Sequence, residues 1–410
     1  MSTSSDATSS AATSPATPAP APAPARREIT TVDVPRGLSG VVVTETRIGD
    51  VRGREGFYHY RQYSAIELAE RRGFEDVWRL MLDGALPADA AERAAFGAET
   101  VPLRRLPDAL RPLLAPVARD TAADGPLAGL RALLPVAAAL RGIRPLYDTD
   151  PAGRRADALY VSALAPTLIA ALYRVGRGLD PVDPRDDLGY AANYLHMLTG
   201  REPAPEHARA IEQYLISTID HGFNASTFTA RVIASTGADL AACVSGALGA
   251  LSGPLHGGAP SRALDTLDAI GTPERAEPWI RERVLRGERI MGFGHPVYRT
   301  EDPRSRMLRG VAERLGGGCA DLAVQVERQV LDTLAELKPG RELFTNVEYY
   351  AGVVMDQCGV PRKMFTPTFG AARIVGWCAN ILEQAGDSKI IRPAARYAGP
   401  TPPQAVPALG

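Results

Sequence analysis

Lysine is nearly absent from the 410-residue chain: Lys338, Lys363 and Lys389 stand against 43 arginines. Acidic and basic residues nevertheless balance to a formal net charge of −1, so neither nucleic acid nor an anionic membrane is implied as a partner. The arginine excess, with heavy alanine use, reads first as codon bias. Cysteine is scarce too. Cys243, Cys319, Cys358 and Cys378 are scattered with no CxxC pair, which argues against a disulfide frame or a zinc ribbon and for small buried hydrophobes in a reducing, cytoplasmic setting. No apolar run approaches the roughly eighteen uninterrupted residues of a membrane span. HExxH, GxSxG and GxxxxGK[ST] are missing, which leaves no sequence case for a metal site, a serine-hydrolase elbow or a phosphate loop. Histidine occurs only six times.

The chain is long enough for one large domain or two moderate ones, and an apolar content of 45% is that of a folded, soluble protein. Residues 1–34 are Ser, Thr, Ala and Pro almost throughout. Such a segment buries too little apolar area to offset its ordering entropy and is expected to be a disordered tail. Residues 401–410 repeat the Pro-rich character as a loose end. Between them helical periodicity dominates. Ala323, Val326, Val330, Leu334 and Leu337 form one face of a helix over 321–337, and Ala210, Ile211, Tyr214, Leu215 and Ile219 another over 206–219. Residues 238–251 are apolar nearly all round, as in a buried helix. Strand-like alternation is confined to Val41–Val43 and Phe57–Tyr60. The fold class expected is therefore mainly α with a small β-hairpin near the N-terminus.

Three of the six histidines adjoin glycine: Asp220-His221-Gly222, Leu255-His256-Gly257 and Gly294-His295-Pro296. Glycine lets backbone or ligand approach closely, so a polar ring beside it can face a cleft. Half of a scarce residue type in that setting marks an active site. Arg299, Arg304, Arg373 and Arg392 lie on or beside the same elements, and guanidinium suits bidentate binding of a carboxylate. Glu348 supplies a carboxylate among aromatic neighbours.

Taken in order, His221-Gly222-Phe223-Asn224-Ala225-Ser226-Thr227, Gly253-Pro254-Leu255-His256-Gly257-Gly258, Gly292-Phe293-Gly294-His295-Pro296-Val297-Tyr298-Arg299, Asn346-Val347-Glu348-Tyr349-Tyr350 and Arg392-Pro393 resemble the citrate synthase family. The match runs from about Arg36 to Pro400. It implies a homodimer of two-domain helical subunits. A large domain would span 35–257 and 359–400, and a small domain, 258–358, would close over the substrates. It further implies condensation of acetyl-CoA with oxaloacetate and hydrolysis of the thioester to citrate and CoA. Acetyl-CoA would be a co-substrate, with no permanently bound cofactor. In that scheme His256 hydrogen-bonds the thioester oxygen, His295 polarises the keto carbonyl, and Glu348 removes the α-proton. His221, Arg299 and Arg373 bind carboxylates, Arg392 reaches across from the partner subunit, and Arg36 lies near the CoA phosphates.

The chain departs from the family pattern at the base, which is usually aspartate where this sequence has Glu348. The extra methylene moves the carboxylate by about a bond length, a displacement that can cost about a hundredfold in rate. Propionyl-CoA as donor, giving 2-methylcitrate, is the rival within the class. One methylene is worth only about 1–3 kcal/mol of discrimination. A non-catalytic paralogue that binds CoA or carboxylates is the rival outside it, favoured by Glu348 alone.

Overall fold

The computed structural model describes residues 1–2, 31–122, 125–253, 256, 259–295, 297–387 and 389–407, with backbone alone at 259–262. Most of the expected N-terminal tail, and residues 408–410 of the C-terminal end, lie outside the described residues. The chain divides into a terminal unit, 1–45 with 393–410, and a main unit, 46–392.

The terminal unit holds one 3-10 turn, Arg36–Leu38, and an exposed ion pair between Arg396 and Asp33 at 2.7 Å. The strand expected at Val41–Val43 does not form. The Val41 amide bonds back to Leu38 in a turn, and among the described residues no second strand offers these residues a ladder. The hairpin begins later.

In the main unit β1 (Gly49–Arg52), β2 (Phe57–Tyr60) and β3 (Tyr63–Ser64) form an antiparallel sheet in that order, with Gly49 opposite Tyr60 and Arg52 opposite Phe57. Tyr58 and Tyr60 alternate inward, as a period of two requires, and their hydroxyls donate to the carbonyls of Ser217 and Ile216. The described helices follow: α1 (Ala65–Arg71), α2 (Phe74–Asp83), α3 (Ala90–Thr100), α4 (Arg111–Asp120), α5 (Pro126–Arg141), α6 (Pro151–Val175), α7 (Tyr190–Thr199), α8 (Pro205–Thr218), α9 (Ala225–Ala234), α10 (Leu240–Leu251), α11 (Ala259–Ile270), α12 (Ala276–Leu285), α13 (Pro303–Leu315), α14 (Gly318–Leu337), α15 (Val347–Gln357) and α16 (Phe365–Gln384). Both periodic stretches and the apolar one are helices within a few residues of their expected ends.

Side chains cap many of these helices, satisfying amides that have no partner within the helix. Asn224, Asp302 and Asn346 cap α9, α13 and α15, so three of the segments singled out by motif are helix starts. Stretches 126–148 and 151–175 are long and apolar enough to cross a membrane, but α6 is buried on nearly every side as a core helix. Against it packs α16, which carries Arg373 and Gly376.

Gly376 sets how closely α16 approaches the segment before His221. A Cβ there would lie 2.0 Å from the Ile219 carbonyl oxygen. Gly376→Ala is expected to cost about 1–3 kcal/mol by overpacking, measured by urea unfolding. An unchanged midpoint would show that the two segments are free to part.

Candidate active site

Four segments converge. The first is the turn Asp220–Asn224, where Gly222 has φ 63 and its amide donates to Asp220 Oδ2 at 3.1 Å. The second is the turn after α10, where the His256 amide bonds to Gly253 O. The third, 292–302, runs into α13, and the fourth, 344–346, runs into α15. These last two are zipped together: Gly294 N donates to Phe344 O at 2.7 Å, Asn346 N to Gly292 O at 2.9 Å, and Asn346 Nδ2 to Gly294 O at 2.9 Å.

The rings of His221 and His295 stand edge to face with centroids 5.6 Å apart, and Tyr298 touches both. Tyr298 Oη is 3.0 Å from His221 Nε2. Burial, then the charges of Arg304 and Arg373, hold His221 well below the ordinary histidine range. Burial and Arg304 push His295 down to about 4. His256 is lowered by burial and then by Arg373. All three are neutral at pH 7.

His295 Nδ1 accepts from the amides of Val297 and Tyr298 at 3.0 and 3.1 Å, which assigns the ring proton to Nε2. That N–H converges with Arg304 Nη2, 3.3 Å away. Two donors cannot satisfy each other, but an oxygen acceptor between them would be bonded by both. His256 Nε2 lies 2.8 Å from Ser226 Oγ, itself 2.8 Å from Asn224 Oδ1. Asn224 Oδ1 can only accept, so the Ser226 hydroxyl donates to it and Ser226 Oγ accepts from His256 Nε2–H; turning that hydroxyl to His256 moves the ring proton to Nδ1.

Glu348 sits in the first turn of α15, its amide bonded to Asn346 Oδ1 at 3.1 Å. Burial pushes its carboxyl up to about 7, against the opposing charge of Arg304 and with Asp302 adding to the rise. A general base poised at working pH has this character.

Arg373 is buried in α16, with Nε donating to Thr218 O at 2.9 Å. Arg299 is not brought in: its side chain is exposed, and its nearest bond is a long one, 3.4 Å, to His295 O. The cation beside the histidines is Arg304, 3% exposed, which had been one arginine among several. Asp302 holds it through Nε at 3.0 Å and Nη2 at 2.8 Å. The signal was in the sequence: Asp302-Pro303 is a helix start, which places Arg304 in the first turn beside its own cap. Ser226 and Tyr298 stood inside motifs without being chosen. Arg392 is exposed at the end of the main unit, and Arg36 lies in the terminal unit's 3-10 turn. Among the described residues no cluster of three or more His, Cys, Asp or Glu could hold a metal ion.

Asp302→Asn would leave the Arg304 charge buried without a counter-ion, at a cost of about 3–5 kcal/mol. Chemical denaturation measures it, and a loss below about 1 kcal/mol would mean that water, not Asp302, compensates Arg304.

The family model "Citrate synthase, C-terminal domain" matches residues 37–394. The citrate synthase of Deinococcus radiodurans is 38% identical over 372 residues, 90% of this chain and 96% of its own. The 2-methylcitrate synthase of Mycobacterium tuberculosis is 38% identical over 371 residues, 90% and 91%. Among solved structures, the ternary complex of citrate synthase from Thermoplasma acidophilum with carboxymethyl coenzyme A and oxaloacetate superposes with a TM-score of 0.83. That match is at 27% identity and covers 92% of this chain and 99% of that one. With four converging segments, three neutral histidines and a raised carboxyl in a helical frame of this shape, the chain belongs to the citrate synthase family of acyltransferases.

Proposed function

We propose that the protein condenses acetyl-CoA with oxaloacetate and hydrolyses the resulting thioester, releasing citrate and CoA. The observation that carries this reading is the convergence of His295 Nε2–H and Arg304 near Glu348, whose carboxyl titrates at about 7. Glu348 takes a proton from the acetyl methyl group while His256 donates a ring N–H to the thioester oxygen on which charge develops. The enol carbon attacks the keto carbon of oxaloacetate, and His295 donates to the keto oxygen as it becomes a hydroxyl. Water then cleaves the citryl thioester, giving citrate, CoA and a proton. Arg304 and Arg373, with His221, hold the carboxylates of oxaloacetate. Arg304 takes the role first given to Arg299, because it is the guanidinium against the imidazole.

The lining comes from both divisions expected from the family. His295, Arg304 and Glu348 belong to 258–358, and His221 and Arg373 to the remainder, which supports a small domain closing over a large one and excluding water. A homodimer is supported by α5, whose residues Ala132, Pro135, Val136, Ala139 and Leu140 form an exposed apolar face. Arg392 would then complete the site of the opposite subunit, and Arg36 would meet the CoA phosphates. Propionyl-CoA is the alternative donor, favoured by a 2-methylcitrate synthase as similar as the citrate synthase. Comparing kcat/KM for acetyl- and propionyl-CoA decides between them.

Thiol release from acetyl-CoA with oxaloacetate tests the reaction itself, and binding without release under any acceptor would mark a non-catalytic paralogue. A base must be deprotonated and Glu348 is raised, so kcat/KM is expected to fall about tenfold per pH unit below pH 7 and to level above it. Glu348→Gln should lose about 10²–10⁴ in kcat, and full activity there would remove Glu348 as base. Arg304→Lys should raise the KM for oxaloacetate about 10- to 100-fold, the worth of a charge-assisted hydrogen bond. Arg299→Lys should change it little, and the reverse order would return the carboxylate to Arg299.

A further inference from the structure

The base is held from behind by a second carboxylate. Glu327, on α14, is buried and 7% exposed, yet it belongs to no part of the substrate site. Its Oε1 accepts from Thr345 Oγ1 at 2.5 Å, and its Oε2 from Tyr350 Oη at 2.5 Å and from Arg309 Nη1 at 3.1 Å. Thr345 lies three residues before Glu348 and Tyr350 two after. One turn earlier on the same face of α14, the Ala323 carbonyl accepts from Tyr349 Oη at 2.8 Å. Three side chains that bracket Glu348 are therefore tied to one side of a single helix.

Thr345 precedes the cap Asn346, and Tyr350 lies in the first turn of α15. Pinning both to one carboxylate fixes that turn against sliding along the helix axis and against rotation about it. Burial and the Glu327 charge hold the phenols of Tyr349 and Tyr350 protonated, above the ordinary range, so both remain donors. Arg309 supplies the counter-charge that a buried carboxylate needs. Glu348 reaches its substrate through a longer side chain than aspartate has, so the depth of its backbone decides where the carboxylate arrives.

We propose that Glu327 is a positioning residue for the base: through Thr345 and Tyr350 it sets the depth and rotation of the first turn of α15, placing the Glu348 carboxylate against the acyl α-carbon. The inference rests on Glu348 being the base. Its test starts from Glu327→Gln, which keeps size but removes the charge and turns one acceptor oxygen into an amide donor, so that Thr345 and Tyr350 can no longer both donate to it, and from Tyr350→Phe, which deletes one bond and spares folding if the first variant does not fold. Turnover of acetyl-CoA, oxaloacetate binding by calorimetry and the thermal midpoint are measured for each.

The expected result for Glu327→Gln is a kcat lowered about 10- to 100-fold, since a displacement of about 1 Å costs about a hundredfold. Oxaloacetate binding should stay within about twofold, and Tyr350→Phe should lose less in kcat, in the same sense. In a Glu348→Asp background, where the carboxylate is already displaced, Glu327→Gln should cost less than about threefold more, because coupled residues are not additive. An unchanged kcat, an equal loss in both backgrounds, or parallel loss of binding and thermal midpoint overturns the proposal. Glu348→Gln separates the two readings. If it abolishes turnover while Glu327→Gln and Tyr350→Phe do nothing, only the clamp is wrong. If it is fully active, base and clamp fall together.

Discussion

The buried pair of Asp302 and Arg304 is the constraint on which the site depends. Asp302 caps α13 through the Arg304 amide, grips the Arg304 guanidinium at two nitrogens, and accepts the Val347 amide at the start of α15 at 3.1 Å. One carboxylate therefore ties a cation, the helix that carries it and the helix that carries Glu348. Arg304 in turn meets His295 and lies 5.8 Å from the ring centres of Tyr58 and Tyr298, which links the hairpin to the same point. A charge pair so enclosed contributes little net stability, but once formed it admits few other arrangements of its neighbours.

Charge is divided by the same means. Burial first, and then the charges of the two buried guanidiniums Arg304 and Arg373, depress the three histidines and keep the imidazoles neutral. A neutral ring donates one hydrogen bond and keeps a lone pair. That suits a group which must hold an oxygen while it becomes an enol or an alkoxide and then release it. Glu348 is pushed the other way by burial, held in check by Arg304. Cation, neutral donor and poised carboxyl thus arise from one desolvated neighbourhood.

Much of this was legible in the sequence because local rules and motif agree there. The stripes over 206–219 and 321–337 become α8 and α14, and two of the histidines that adjoin glycine, His221 and His295, meet ring to ring. What the sequence hid was set by tertiary partners. Val41–Val43 has the composition of a strand and no ladder to join. Arg299 and Arg304 are chemically alike, five residues apart, and only the cap at Asp302 turns one inward and leaves the other in solvent. Glu327 reads as one more acid on an amphipathic helix until α15 supplies two hydroxyls to it.

The departure at Glu348 then takes a structural meaning. A glutamate proposed as base reaches the carbon an aspartate would reach only if its backbone stands farther back, or its side chain bends. The first turn of α15 is bonded on two sides, to Asp302 and Asn346 on the side of Arg304 and to Glu327 and the Ala323 carbonyl behind. A turn held so completely has little freedom to adjust to whichever carboxylate it carries, so the setting of the turn and the identity of the base are one choice. Shortening Glu348 alone would leave the turn where glutamate needs it. An aspartate at position 348 is therefore not interchangeable with the glutamate of this chain, although the two acids have nearly the same intrinsic basicity.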